Sequence, residues 1–292
     1  MKCVEDCTCF MVGMPSSGKT TYLVSLINML MLNDQETLLK LKNCDMPKGM
    51  EYIQTEIENF NQFKPVGRTI RASVGWMKIP LFDKQGNKVQ LRIPDLSGEI
   101  FQDLVNERRL KKDIVIQLQA ADALLFFLNL DTISMDQRIP LGDKSAVAIL
   151  EKGYESHIIE SGKVNSIETE PEKNMRVTQV DLVELLQCIL YLVKKQIKVK
   201  LIVSAWDSIE KRLEPGNQLP DKCIEKCLPL LFQFLRTNSE RINSEIWGVS
   251  AQGFDFTDQL ELEKWKTDDI GEHVRVITPV GTETHDLTQL LL

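Results

Sequence analysis

Gly13-Met14-Pro15-Ser16-Ser17-Gly18-Lys19-Thr20 fits G-x-x-x-x-G-K-[ST] at every fixed position, and Thr21 follows it. Two glycines at this spacing let the backbone curl so that successive N–H groups point inward at an anion. A helix starting at the lysine adds the positive end of its dipole. Lys19 would reach the outer phosphates of a nucleotide, and the Thr20 hydroxyl would go to the Mg²⁺ that neutralises them. Farther on, Asp95-Leu96-Ser97-Gly98-Glu99 places a carboxylate and a glycine at the tip of a strand pattern. Asp95 suits the same metal through water, and the Gly98 N–H suits a terminal phosphate whose loss would release the loop. Thr69, with Ser73 as its rival, is the upstream hydroxyl placed to cover the metal. Asp207 ends the apolar run Leu201–Ala205-Trp206; a carboxylate there accepts from a base that offers N–H groups and rejects one that offers an acceptor. Glu99 is placed either to orient water or to start a helix as a dipole-stabilised acid. Arg108 and Arg109 either reach a neighbour's phosphate or lie solvated. Trp206 either gives the base contact area or packs in the core.

These groups need a scaffold that brings distant loops to one edge. Short apolar runs alternate with segments of helical period, which implies the α/β class: a mostly parallel sheet flanked by helices. Strands are expected at Thr8–Gly13, Val74–Phe82, Lys88–Pro94, Ala123–Asn129, Val199–Ala205 and Glu245–Val249. The second and third should form an antiparallel hairpin about Gly86-Asn87. Helices are expected at Lys19–Leu32, Gly49–Phe63, Phe101–Ala120, Gln179–Lys195 and Asp221–Glu240. Residues 34–64 and 131–178 exceed what a minimal domain needs and read as insertions, the second polar and partly flexible. Asp286–Leu292 starts like a helix and stops with apolar residues still running, so a partner or a continuation is expected to cover it.

A net charge of −7 argues against a nucleic-acid-binding surface, and 43% hydrophobic residues suffice for a core. No segment reaches the roughly 18 uncharged apolar residues of a membrane span. The residues before the glycine loop do not make a secretory signal. Seven cysteines without regular spacing suit free thiols, and the expected location is the cytoplasm. No C-x-x-C pair marks a zinc site, and the three histidines are scattered.

In motif order, residues 8–252 resemble the small-GTPase superfamily, a P-loop fold of the TRAFAC type. The matching of Asp207 to the last residue of that family's N-K-x-D implies guanine, although Ser204 and Ala205 stand where Asn and Lys would. Ser250-Ala251, after a strand, matches the last family motif, whose alanine N–H reaches guanine O6. The forms P-S-S-G-K-T-T-Y-L, D-L-S-G-E and S-A-W-D are more narrowly similar to the bacterial double-GTPase family. The resemblance implies a single GTPase-like domain over 1–292 that binds GTP and GDP with Mg²⁺. It also implies slow hydrolysis and a regulatory or effector protein as partner, including a second GTPase, in a bacterial conflict or defence setting. Two other readings of the same loop remain open: a P-loop ATPase or phosphotransferase, and a scaffold whose nucleotide is structural.

Overall fold

The computed structural model describes residues 7–32, 36–41, 51–67, 77–93, 98–133, 178–213, 218–265 and 270–292. In chain order the elements are β1 (Cys7–Gly13), α1 (Lys19–Leu32), β2 (Lys40–Leu41), α2 (Glu51–Asn61), β3 (Met77–Phe82) and β4 (Lys88–Ile93). There follow α3 (Glu99–Glu107), α4 (Lys112–Gln119), β5 (Ala123–Leu128), α5 (Thr178–Val193) and β6 (Ile197–Ser204). The rest is α6 (Trp206–Glu210), α7 (Pro220–Cys227), α8 (Pro229–Thr237), β7 (Ile242–Ser250), α9 (Gln259–Trp265), β8 (Arg275–Ile277), β9 (Glu283–Thr284) and a 3₁₀ turn at Leu287–Leu291.

The strands form one sheet in the order β2-β3-β4-β1-β5-β6-β7-β8-β9. Its centre, β4-β1-β5-β6-β7, is parallel, and the pairs outside it are antiparallel. Both faces are covered, which is why β5, Ala-Leu-Leu-Phe-Phe-Leu, is buried at every position. One face packs against α1, α2 and the C-terminal turn; the other packs against α3, α4, α5, α7 and α8. β1 and β5 are neighbours, and the described helices that come after them, α1 and α5, pack on opposite faces of the sheet. Their C-terminal ends therefore open a crevice, the place where α/β sheets bind ligands.

The β3–β4 hairpin forms as expected, its turn closed by Asp83, which accepts from the Gln85 and Asn87 N–H groups at 2.9 and 2.8 Å. Two expected helices are each split. Phe101–Ala120 breaks at Arg108, whose left-handed backbone (φ 57°) caps α3. Asp221–Glu240 breaks at Leu228 because Pro229 lacks an N–H and disfavours helical geometry in the residue before it. Most of the C-terminal segment is covered by the chain itself: Leu287, Leu290 and Leu291 are buried in its core, while Leu292 is exposed. Its carbonyls accept from the Tyr22 hydroxyl (Leu287, 3.2 Å), the Cys9 thiol (Leu291, 3.4 Å) and Lys200 Nζ (Gln289, 3.1 Å). No helix among the described residues is long and apolar enough to cross a membrane.

Candidate functional site

β1 delivers the phosphate loop into the crevice, and the loop's shape follows from its glycines. A Cβ at Gly13 would stand 2.6 Å from Ser17 Oγ and 2.8 Å from the Phe127 carbonyl of β5. Ser16 and Gly18 take positive φ (60° and 89°), which turns the chain so that α1 starts at Lys19. A Cβ at Gly18 would collide with Ser204 at 2.6 Å. Pro15 and Ser16 are exposed at the rim, Ser17 is buried, and Thr20 and Thr21 are half-buried in the first turn of α1.

Lys19 is only 2% exposed, and its ammonium is held inside the curl. Nζ donates to the carbonyls of Gly13 (2.9 Å) and Met14 (2.7 Å) and to Ser17 Oγ (3.1 Å). A buried cation so fixed, beside a helix N-terminus, is a preorganised anion site. Gly98, ahead of α3, arrives at the same point. Its φ is 80°, and a Cβ there would lie 2.6 Å from the Gly13 carbonyl and 2.7 Å from Lys19 Nζ. Glu99 follows as the first, half-buried residue of α3. Thr69 and Asp95 lie outside the described residues. Among the described residues no group of three or more His, Cys, Asp or Glu could hold a metal, and Thr20, the hydroxyl expected to reach Mg²⁺, is half-buried beside Lys19 at the start of α1.

On the other side of the crevice, Ser204 at the end of β6 ties the loop to the sheet. Its hydroxyl reaches the Ser17 carbonyl at 3.0 Å and the Leu128 carbonyl at 3.1 Å. Ala205 then takes a left-handed conformation (φ 52°) and starts α6. Trp206 is fully buried against Gly248, where a Cβ would fall 2.6 Å from the indole, so it is core and not base contact. Asp207 is held by its own N–H, which donates to the buried Ser250 hydroxyl at 2.8 Å. Burial pushes the Asp207 carboxyl above the ordinary range, and the Ser250 hydroxyl partly opposes that. Ala251 follows, buried at the end of β7.

Asp207 and Ala251 share a cavity of about 270 Å³ with Gly18, Thr21, Ser204 and Phe254. Phosphate loop and base-side residues are thus parts of one crevice. The cavity also holds residues that motif reading missed: Tyr22, Phe127, Asn129, Asp131, Ser208, Gln252 and Asp255. Asn129, the first residue past β5, carried a sequence signal by that position alone. Arg108 and Arg109 belong elsewhere. Arg108 pairs with Glu184 and donates to Cys188 Sγ on α5, while the Arg109 side chain is 83% exposed beside Glu107.

The model of one protein family, Double-GTPase 1, matches residues 10–292. The chain belongs to the Double-GTPase 1 family. The match takes in the phosphate loop, the base-side residues and the C-terminal turn alike, and it supports GTP and GDP as ligands. Comparison with curated proteins gives no match. Among solved structures, the signal recognition particle receptor SRb-GTP/SRX complex from Chaetomium thermophilum is similar at 16% identity. That alignment covers 90% of this chain and 96% of that one, with a TM-score of 0.37. A putative nucleolar GTP-binding protein 1 from Plasmodium falciparum matches at 13% identity over 89% of this chain and 84% of its own, TM-score 0.36. The Arl6 BBS3 small GTPase from Trypanosoma brucei, with bound GppNp, matches at 13% identity over 92% and 99%, TM-score 0.30.

Proposed function

We propose that this Double-GTPase 1 chain is a Mg²⁺-dependent, GTP-binding switch with slow hydrolysis that regulates a partner protein in a bacterial setting. The observation that carries this reading is the meeting of Gly98 with Gly13 and Lys19. The residue suited to sense a terminal phosphate packs, without room for a Cβ, on the residues suited to bind it. A third phosphate seated at Lys19 has to make room at Gly98 or bond to it. Either response changes the segment that leads into α3.

The chain's own groups then divide the work. Lys19 and the loop N–H groups between Gly13 and Thr20 hold the phosphates, and Ser204 keeps the loop in place. Asp207 accepts from the base N–H groups, and the Ala251 N–H donates to the base oxygen. Mg²⁺, when bound, would be held by Thr20 together with Asp95 and Thr69, and it supplies charge neutralisation. Glu99 orients a water for in-line attack on the terminal phosphorus. The water oxygen bonds to that phosphorus, the bond to the bridging oxygen breaks, and GDP and inorganic phosphate leave.

Hydrogen exchange of residues 68–73 and 95–102 with GTP and with GDP tests the switch. Protection by GTP that disappears with GDP is the expected result. Equal exchange in both states, together with no phosphate release in a single turnover, would leave a nucleotide-bound scaffold. Tighter ATP than GTP binding would leave an ATPase.

A further inference from the structure

Asp207 is carried by α6, a helix of only five residues that depends on its neighbours for its orientation. Trp206 and Ile209 root one side of it in the core. Asp207 and Glu210 stand three positions apart and so share another face. Two polar bonds orient the helix. The Asp207 N–H donates to Ser250 Oγ on β7 at 2.8 Å, and Arg275 Nη1 on β8 donates to Glu210 Oε2 at 2.9 Å. Both come from one rung of the sheet, because Ser250 and Arg275 are partners in the β7–β8 register. The rest of the guanidinium is taken by β9: Nε donates to Glu283 Oε1 at 2.9 Å and Nη2 to Glu283 Oε2 at 2.8 Å. A two-point bond of that kind fixes the plane of the fork, so the remaining donor is aimed at α6. A carboxylate at the end of a helix meets the negative pole of its dipole, and Arg275 supplies the charge that offsets it at Glu210.

We infer that Arg275 is a positioning residue for base selection: anchored on β9 through Glu283, it holds α6 through Glu210 and so sets the angle at which the Asp207 carboxylate meets the base. This rests on the reading of Asp207 as the acceptor of the base N–H groups. Guanine offers that carboxylate two donors side by side, N1–H and the exocyclic amine, and both bonds form well only when the carboxylate is aligned with them. Hypoxanthine, the base of inosine diphosphate (IDP), offers N1–H alone and tolerates a tilt. The ratio of GDP to IDP affinity therefore reads alignment, whereas a general loosening of the site weakens both nucleotides together.

Titrate the full chain with GDP and IDP in Mg²⁺ by calorimetry, for the wild type and for Arg275→Gln, Arg275→Lys and Lys211→Gln. Arg275→Gln is expected to lower the GDP-to-IDP affinity ratio by about fivefold. Arg275→Lys, which keeps the charge and loses the fork, is expected to lower it in the same direction. Lys211, an exposed cation just past α6 that pairs with Glu261 at 3.4 Å, controls for charge alone, and Lys211→Gln should keep the ratio within about twofold of the wild type. An unchanged ratio in a folded Arg275→Gln overturns the inference and leaves guanine binding standing; so does an equal fall in Lys211→Gln. A wild type that binds neither nucleotide, or both equally, overturns the reading of Asp207 as well. Glu283→Ala, at a half-exposed anchor, serves if Arg275→Gln does not fold: its ratio should also fall, and an unchanged ratio overturns the inference.

Discussion

Ser204→Ala isolates the tether between the phosphate loop and the sheet. One hydroxyl proton is shared between two carbonyls, Ser17 at 3.0 Å and Leu128 at 3.1 Å, at a site only 8% exposed. Removing it deletes one hydrogen bond's net worth and leaves buried carbonyl surface less satisfied, together about 1–2 kcal/mol. For a protein of this size that lowers the thermal midpoint by roughly 2–8 °C. The loop loses an anchor next to Gly18; if about 1 kcal/mol of the tether is spent on loop order, the Kd for GDP rises about fivefold. Thr237→Ala is the control, because its hydroxyl donates to the Gln233 carbonyl at the exposed end of α8 (2.9 Å), outside the cavity, and should change stability by less than about 0.5 kcal/mol. Differential scanning calorimetry and GDP titration read both effects. An unchanged midpoint and Kd in Ser204→Ala, or equal losses in the two variants, would refute the tether.

Asp207→Asn should act in opposite directions on folding and binding. The folded-state pKa of Asp207 is raised, so its contribution to stability is fully present below its unfolded value and is lost as pH rises through the folded value. At neutral pH the ligand-free Asn variant is therefore expected to melt higher than the wild type while preferring guanine over adenine at least a hundredfold less; a lower midpoint would contradict the burial argument. Lys200, brought down to about 8 first by burial and then by Lys198, is the reverse case. The unfolded chain keeps a proton that the folded chain loses between about pH 8 and its ordinary value, so the wild-type midpoint minus that of Lys200→Met should grow from pH 8 to 10. Leu290→Ala, at a fully buried position in the C-terminal turn, is expected to cost about 2–5 kcal/mol by denaturant unfolding, and a cost under about 1 would mean that the turn is not core.

Much of the scaffold was legible because its signals are local. The phosphate loop is contiguous, and the central strands are unbroken apolar runs whose burial on both faces requires that composition. Pro229 could have been read as the break between α7 and α8. Arg108 could not, because a left-handed arginine has no sequence mark and depends on its Glu184 and Cys188 contacts across α5. β2, β8 and β9 are two or three residues long, below the length at which alternation carries information. On the base side, Asp207 and Ser250-Ala251 were readable as residue types in order. The bond from the Asp207 N–H to Ser250 spans 43 positions, and the bond from Arg275 to Glu210 spans 65. Such contacts exist only once the sheet has closed. Ser204 looked like a departure from pattern, and its tether to Ser17 shows a shorter side chain reaching the loop because Gly18 lets the backbones approach.

The most direct test of guanine-nucleotide binding is calorimetric titration of nucleotide-free protein with GTP, GDP and ATP in Mg²⁺, for the wild type, Lys19→Ala and Asp207→Asn. Tight guanine binding that Lys19→Ala abolishes and Asp207→Asn weakens selectively is the predicted result. ATP binding as tight as GTP binding, or guanine binding indifferent to Lys19, would contradict it.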